Sequence, residues 1–225
     1  MTNKTAEDRR GWTQNPEGVK RDILAAAVSE FAERGLSGAK VDDIAARTRT
    51  SKRMIYYYFG DKMGLYTQAL EAAYLKVRDG EAALDLGHLP PLQALAKLVA
   101  FTFDHHRSNP DFIRMVMIEN IHQAEALIAS DKIRNLNIAA IDKLREICGR
   151  GEQEGVFRSG LDPVALHWQI SAVSFFNVSN RPTFAALFGD AVFSETGQQY
   201  LRRQTVEAIV AIARKEIPLE SGLML

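Results

Sequence analysis

A twelve-residue stretch, SKRMIYYYFGDK at positions 51–62, combines cations and aromatic rings at a spacing that suits contact with a nucleic acid. On a helix, positions three and four apart share a face, so Lys52, Arg53, Tyr56 and Tyr57 are expected to project together. Lysine and arginine bind guanine edges and phosphates, and tyrosine contacts phosphates, sugars and thymine methyl groups. This chemistry predicts a surface for the major groove of DNA. The alternative that the spacing leaves open is a solvated helix face with ordinary ring packing.

Two short helices must position that face. The segments VDDIAART (about 41–48) and SKRMIYYYF (51–59), with a short turn between them, have the dimensions of a helix-turn-helix. The facing, buried set is expected to consist of Ile44, Ala45, Thr48, Ile55, Tyr58 and Phe59. Asp61 is a good N-cap for the next helix. Lys62 then places a cation beside free backbone N–H groups, which predicts a phosphate contact.

Helical periodicity continues through nearly the whole chain, and no stretch alternates as a strand would. We therefore predict an all-α fold of about nine helices. Residues 1–16 are expected to form a flexible tail, residues 17–66 a three-helix DNA-binding domain, and residues 67–225 a larger helical body for ligand sensing and dimerisation. Residues 181–193 are expected to be irregular. The last helix is expected to run from Ser194 or Glu195 to about Glu216.

Composition restricts the class of protein further. The 225 residues are 46% hydrophobic and 25% charged with a net charge of zero, which predicts a folded chain. Residues 1–66 contain 12 Lys and Arg against 9 Asp and Glu, so the excess positive charge lies at the N-terminal end. The start lacks the apolar core of a signal peptide, and no run of about 18 apolar residues suggests a membrane span. With a single cysteine, Cys148, these features favour a cytoplasmic protein without a membrane partner.

Residues 19–66 resemble the DNA-binding domain of the tetracycline-repressor (TetR) family of bacterial transcriptional regulators. The resemblance rests on ILAAAVSEFAERGLSGAKVDDIA followed by DIAARTRTSKRMIYYYFGDKMGLY. It implies a homodimer whose two reading helices enter successive major grooves of a pseudo-palindromic double-stranded DNA operator. It also implies a ligand in the C-terminal body that controls the separation of those helices, most commonly releasing a repressor from its operator. A transcriptional activator of the same fold stays open.

Two positions depart from the family pattern. The turn usually reads Ala-Gly-Val-Ser, whereas here it reads Thr48-Arg49-Thr50-Ser51. A non-glycine residue at the second position costs about 1 kcal/mol if the backbone is left-handed there, unless the turn is reshaped. Arg53 replaces a usually small residue and extends the reach toward a base; the alternative is a surface arginine that contacts phosphate only. The predicted DNA-binding residues are Arg49, Thr50, Ser51, Lys52, Arg53, Tyr56, Tyr57 and Lys62.

The helical body is expected to hold a small, partly apolar organic effector, because aromatic, methionine and a few polar side chains recur in its central helices. For each of these residues, packing in the core is the alternative. The predicted ligand-binding residues are Phe101, His105, Met115, Met117, Asn120, His122, Trp168, Phe175 and Asn177, with Phe103 beside them. The resemblance implies that the last two long helices form the dimer interface, through Leu166, Ile170, Val173, Phe176, Leu201, Thr205, Ala208 and Ile212. The alternative is that these stripes are core in a monomer.

Other classes of function find little support. The histidines at 105, 106 and 122 lack the spacing and the further ligands of a metal site, and no cofactor is expected. The sequence has no phosphate-binding glycine loop and no nucleophile elbow, so no enzyme is predicted. A helical adaptor that binds protein through the aromatic helix is the competing class. Its partner binding would be insensitive to salt, whereas operator binding weakens steeply with salt.

Overall fold

The computed structural model describes residues 15–215, and these fold into eleven α-helices without a β-sheet. The helices are α1 (Pro16–Gly38), α2 (Val41–Thr48), α3 (Lys52–Phe59), α4 (Lys62–Ala82), α5 (Pro91–Ser108), α6 (Pro110–Ile121), α7 (Glu125–Ala129), α8 (Asp131–Gln153), α9 (Pro163–Ser179), α10 (Arg181–Phe188) and α11 (Glu195–Ala213). A 3-10 turn at Ala191–Phe193 precedes α11.

The helices group into two compact units that interleave along the chain, with boundaries inside α4, α6 and α8. The first unit contains the described residues up to Leu75 together with Arg114–Ile133. The second contains Lys76–Ile113 and the described residues from Arg134 onward. The predicted functional boundary at residue 66 falls within α4, among residues of the first unit, and stays a prediction.

The core of the first unit holds the helix-turn-helix together. Ile23 and Phe31 of α1, Ile44 of α2 and Ile55 of α3 are fully buried. The ring of Phe31 meets that of Tyr66 edge to face, with 5.0 Å between centroids. Burying these apolar side chains removes them from water and fixes the three helices against one another. Within α1, Gly35 has φ 70° and ψ 171°, a backbone conformation that suits glycine and interrupts the helix.

A buried hydrogen-bonded carboxylate also belongs to the first unit. Tyr66 Oη donates to Glu119 Oε1 at 2.8 Å, and the Leu127 backbone N–H donates to Glu119 Oε2 at 2.9 Å. Glu119 is only 2% exposed, so these donors supply the bonds that water would otherwise make. Burial, together with the Glu119 carboxylate, raises the pKa of Tyr66. The phenol therefore stays protonated and available as a donor.

The second unit has a separate aliphatic core. Helices α5, α8, α9 and α11 all contribute, and the fully or nearly buried members include Leu95, Val99, Leu144, Ile147, Phe157, Leu166, Ile170 and Ile209. Arg150 of α8 donates to the carbonyl oxygens of Leu86, Gly87 and Leu89 at 2.9–3.0 Å. These three bonds hold the loop that leads into α5.

The all-α prediction, with an N-terminal helix-turn-helix and a larger helical body, is confirmed. The helix count is higher by the short helices α7 and α10. The expectation that residues 181–193 are irregular was wrong, because α10 occupies most of this segment and its aromatic rings pack together. The Phe184 ring lies 4.7 Å from that of Phe188 and 6.0 Å from that of Phe193. Such a short aromatic helix has no apolar stripe that periodicity could detect.

Both predicted chain ends fall largely outside the described residues. Residues 1–14 of the predicted tail lie there, as do Glu216 and the residues that follow it. Asn15 already caps α1, because its Oδ1 accepts from the Gly18 N–H at 2.9 Å, and Pro16 begins the helix. Among the described helices none is long and apolar enough to cross a membrane.

Candidate nucleic-acid interface

The turn between α2 and α3 keeps the left-handed geometry that the family pattern associates with glycine. Arg49 follows the last residue of α2 at φ 53° and ψ 24°. The Thr50 N–H donates to the Ala45 carbonyl oxygen at 3.2 Å, which closes the end of α2. Since the backbone is not reshaped, Arg49 carries the conformational cost expected for a residue with a Cβ.

Helix α3 divides into a buried and an exposed face. Ser51 caps the helix by accepting from the Met54 N–H at 3.2 Å, and Ile55 and Phe59 are buried. The side chains of Lys52, Arg53, Tyr56 and Tyr57 all lie on the exposed side. Tyr57 is 78% exposed and Tyr56 38% exposed, so both phenol groups are accessible. We call these four residues the reading face; their contacts with DNA stay a prediction.

The two cations of the reading face differ in how freely they can move. Lys52 Nζ lies 2.8 Å from Asp42 Oδ2, across the turn from α3 to α2. The hydrogen bond and the charge of Asp42 raise the pKa of Lys52. Arg53 has no hydrogen bond or ion pair with any residue in 15–215, so its guanidinium is free to form the paired bonds that guanine offers.

Lys62 has a different environment from the one expected. Asp61 caps α4 by accepting from the Gly64 N–H at 2.7 Å, as the sequence predicts. The ammonium group of Lys62 instead donates to the Ser37 carbonyl oxygen at 3.1 Å, at the end of α1. A phosphate contact by Lys62 therefore has to compete with, or add to, this bond.

Sequence reasoning missed an ion pair between a buried carboxylate of α1 and a partly exposed arginine of α2. Glu30 of α1 is 1% exposed, and its Oε2 lies 3.0 Å from Arg47 Nη2. Its other oxygen accepts from the Lys40 N–H at 3.4 Å, at the start of α2. Glu30 thus contacts both ends of α2. The available signal was its place beside Phe31 on the apolar stripe of α1, where a carboxylate needs a partner.

The predicted effector residues are divided between the two units. In the first unit, Met115 is buried, Met117 is half-buried, and Asn120 and His122 are exposed. The second unit contains the other five. Their assignment as ligand contacts stays a prediction.

Those five residues of the second unit have different surroundings. Phe101 and His105 are half-buried neighbours with 5.5 Å between ring centroids, Phe175 is half-buried, and Trp168 is 70% exposed. Asn177 borders an apolar cleft of about 170 Å³ and exchanges two hydrogen bonds with Gln198. The cleft is lined by Phe103, Val173, Phe176, Asn177, Phe184, Val192, Phe193 and Leu201.

The predicted dimer stripes need correction. Leu166, Ile170 and Thr205 are buried within the second unit, so they pack in the core of their own chain. Val173 and Phe176 stay exposed at 45% and 51%. The helical period placed all of these residues on apolar stripes, but the stripe cannot distinguish an internal neighbour from a second chain.

No group of three or more His, Cys, Asp or Glu side chains suited to a metal ion occurs in residues 15–215. Cys148 is buried, and burial raises the pKa of its thiol. A thiol of this kind is a packed side chain of low reactivity.

Comparison with known proteins agrees with the helix-turn-helix geometry. Residues 23–69 match the family of bacterial regulatory proteins of the tetR type, and residues 91–209 match the tetracyclin repressor-like C-terminal domain. The HTH-type transcriptional repressor NicS of Pseudomonas putida is 34% identical over 173 residues, which cover 77% of this chain and 82% of NicS. The HTH-type transcriptional repressor SCO4008 of Streptomyces coelicolor is 28% identical over 66% of this chain and 72% of its own length.

A solved structure supports the same conclusion. The SCO4942 protein of Streptomyces coelicolor superposes with a TM-score of 0.64 at 26% identity, covering 87% of this chain and 98% of that one. The matched families span both the helix-turn-helix and the helical body, and NicS is related over most of its length. The chain belongs to the TetR family and is a DNA-binding transcriptional regulator.

Proposed function

We propose that the protein is a repressor that binds a pseudo-palindromic operator through the reading face and leaves it when a small organic effector binds. The observation that carries this proposal is the exposed set Lys52, Arg53, Tyr56 and Tyr57 on a capped helix whose other side is buried. Arg53 is assigned a base contact, because an unpaired guanidinium can bond guanine O6 and N7 together. Tyr56, Tyr57 and Lys52 are assigned to phosphates and the groove wall.

Residues at the turn and at its flanks are proposed to add contacts with the DNA backbone. Arg49, Thr50 and Ser51 precede α3, and Lys62 begins α4, so each is proposed to contact a phosphate near the edge of the groove. Such contacts position the helix without reading sequence. They also make binding depend steeply on salt, since each neutralised phosphate releases counterions.

The operator is proposed to be bound by a homodimer. A two-fold protein matches a two-fold DNA site, with half-sites about one helical turn apart. Exposed apolar side chains on α9 and α11 support an interface there: Trp168 at 70%, Phe176 at 51% and Tyr200 at 54% exposure. The core residues Leu166 and Ile170 are not part of it.

The proposal assigns no catalytic step to the chain, because the relatives that it matches are regulators of transcription. We propose that the effector binds in the helical body. We further propose that the protein acts in the cytoplasm, where a bacterial operator lies. The names of the relatives favour repression over activation. A reporter gene behind the operator distinguishes the two, since deleting a repressor raises expression and deleting an activator lowers it.

Fluorescence anisotropy with a duplex from the region upstream of its gene tests the proposal. Arg53→Ala is expected to weaken specific binding by about 1–3 kcal/mol, as for other base-reading arginines. Arg145→Ala is the matched control, because Arg145 is an exposed helical arginine of the second unit, paired with Asp142. Equal affinity of the Arg53 and Arg145 variants would exclude Arg53 from base readout. Binding that does not change with salt would instead favour a protein-binding adaptor.

A further inference from the structure

The second unit contains a small polar cavity in its interior. Its volume is about 10 Å³, near what one water molecule needs. The polar lining consists of Arg78, Glu81, Lys143 and His167, with Thr102 beside them. The apolar lining is aliphatic and includes Leu98, Leu144 and Ile170. None of the residues predicted from sequence to bind the effector lines this cavity.

The charges around the cavity do not balance. Arg78 Nη1 lies 2.5 Å from Glu81 Oε2, and Arg78 Nη2 donates to Asn137 Oδ1 at 3.0 Å. The ammonium group of Lys143 donates to the Glu81 backbone carbonyl oxygen at 2.8 Å. The two cations face one carboxylate, which leaves an excess of one positive charge. Within the residues described, Lys143 has no carboxylate partner, and a charge in such a place is stabilised by an anion.

One buried donor of the cavity lining also lacks a partner. Arg78 Nε is buried and makes no hydrogen bond to any described residue. Buried polar atoms are nearly always bonded to protein, water or ligand. Lys143 uses one of its three N–H groups, so it too can donate further. Donors therefore exceed acceptors in this region.

The neighbouring histidines do not alter the sign of this excess. Burial, followed by the charges of Lys76 and Arg78, lowers the pKa of His105. Burial, followed by the charge of Arg78, lowers the pKa of His167. His106 is affected more strongly: burial, then the nearby His105, lowers its pKa to about 4. At neutral pH all three rings are uncharged, and each can donate at one nitrogen and accept at the other. The excess charge thus stays at one.

We propose that this cavity is the anion-binding end of the effector site and that the effector is a small organic monocarboxylate. Its carboxylate accepts from Arg78 Nε and Lys143 Nζ, and its apolar part packs against Leu98, Leu144 and Ile170. One carboxylate cancels the excess positive charge. A dicarboxylate would instead leave one excess negative charge beside the carboxylate of Glu81. The cavity has to widen to admit the ligand, since its volume is that of one water molecule. The role of this cavity in releasing the operator rests on the proposed function, whereas the binding of a carboxylate there does not.

Matched acids and amides test the class of ligand. Benzoate and hexanoate are compared with benzamide and hexanamide, which have similar shapes but no charge. With the full chain, the carboxylates are expected to raise the melting temperature and to bind at least about tenfold more tightly than the amides, because an uncharged amide cannot form charge-assisted hydrogen bonds. Equal effects of acids and amides, or no shift with either at millimolar concentration, would overturn the proposal.

Variants at Lys143 test the position. Lys143→Met is expected to lower the affinity for the carboxylates about tenfold or more, while Lys143→Arg, which keeps the charge, retains binding. Lys97→Met is the control, because Lys97 also donates to a backbone carbonyl, that of Leu84 at 2.7 Å, but is exposed and does not line the cavity. Circular dichroism establishes that each variant is folded; should Lys143→Met not fold, loss of binding is read from Lys143→Gln. Unchanged carboxylate affinity in a folded variant without the charge would refute the site.

A second readout separates this inference from the proposed function. If carboxylates bind through Lys143 but do not release the operator, the binding site is supported and its role as the effector site fails. If operator binding is independent of Arg53, the proposed DNA contacts fail while the anion site stands. The two hypotheses therefore have different failing results.

Discussion

Replacing Arg49 with glycine is expected to stabilise the protein and weaken its DNA binding at the same time. Arg49 has φ 53° and ψ 24°, a left-handed conformation that costs a residue with a Cβ about 1–2 kcal/mol. Glycine avoids this cost but gains conformational freedom in the unfolded chain, so the net increase in the free energy of unfolding is about 1 kcal/mol. In a chain of 225 residues, this corresponds to a rise of roughly 2–4 °C in the melting temperature.

The same change removes a guanidinium from the edge of the reading face. Arg49 is exposed and forms no ion pair with any residue between 15 and 215, so its removal breaks no ion pair inside the described chain. If Arg49 of each protomer binds a phosphate, Arg49→Gly is expected to weaken binding to all DNA sequences alike. The slope of log K against log salt then falls by about 1 for each phosphate that is no longer neutralised.

Arg49→Ala separates the two effects. It removes the same guanidinium but keeps a Cβ, so DNA binding is expected to fall as in Arg49→Gly without the rise in melting temperature. Differential scanning calorimetry and anisotropy titrations at several salt concentrations measure both quantities. If the glycine and alanine variants melt at the same temperature, the reasoning about the left-handed turn is refuted. Unchanged operator affinity in both would remove Arg49 from the interface.

Two further predictions concern buried groups. Burial holds the pKa of His106 at about 4 in the folded protein, against an ordinary 6.5 in the unfolded chain. Between these two values only the unfolded chain takes up the proton. The free energy of unfolding is therefore unaffected by this group above pH 6.5 and falls by about 3 kcal/mol as the pH drops from 6.5 through 4. Urea denaturation at pH 7 and pH 5 should show a smaller loss of stability in His106→Leu than in wild type, and no such difference for the exposed His88→Leu. Tyr66→Phe leaves Glu119 Oε1 without its donor and should cost about 1–3 kcal/mol. Tyr57→Phe, on an exposed ring, should change stability little, and equal losses for the two tyrosines would contradict the buried hydrogen bond.

The orientation of α3 could be predicted from sequence because it depends on spacing within one helix. Positions 52, 53, 56 and 57 follow the helical period, and Ile55 and Phe59 could only face the core. The ion pair between Lys52 and Asp42 was not predictable in this way, since it depends on how α2 crosses α3. The bond from Lys62 to the Ser37 carbonyl has the same origin: the two residues are 25 positions apart and meet only in the folded unit.

The polar cavity lay beyond sequence reasoning for a related reason. Arg78, Lys143 and His167 come from three different helices, and each alone has the sequence signature of a solvated or interfacial side chain. The residues predicted to bind the effector were chosen for their chemical type, without knowledge of which helix faces meet. Trp168, for example, is suited to a ligand by type but is largely exposed. The short helix α10 was missed because its aromatic residues pack with one another and with the 3-10 turn that follows.

Photocrosslinking from the reading face tests the central claim most directly. A benzophenone amino acid is introduced at Tyr57, which is 78% exposed on α3, and in a control protein at Ile138, which is 53% exposed on α8. Irradiation of each protein bound to its operator duplex is expected to join the position-57 variant to the bases or backbone of the major groove. The position-138 variant should give no protein–DNA product. A stable complex that yields no crosslink from position 57, or one that crosslinks equally from both positions, would contradict the assignment of α3 as the DNA-reading helix.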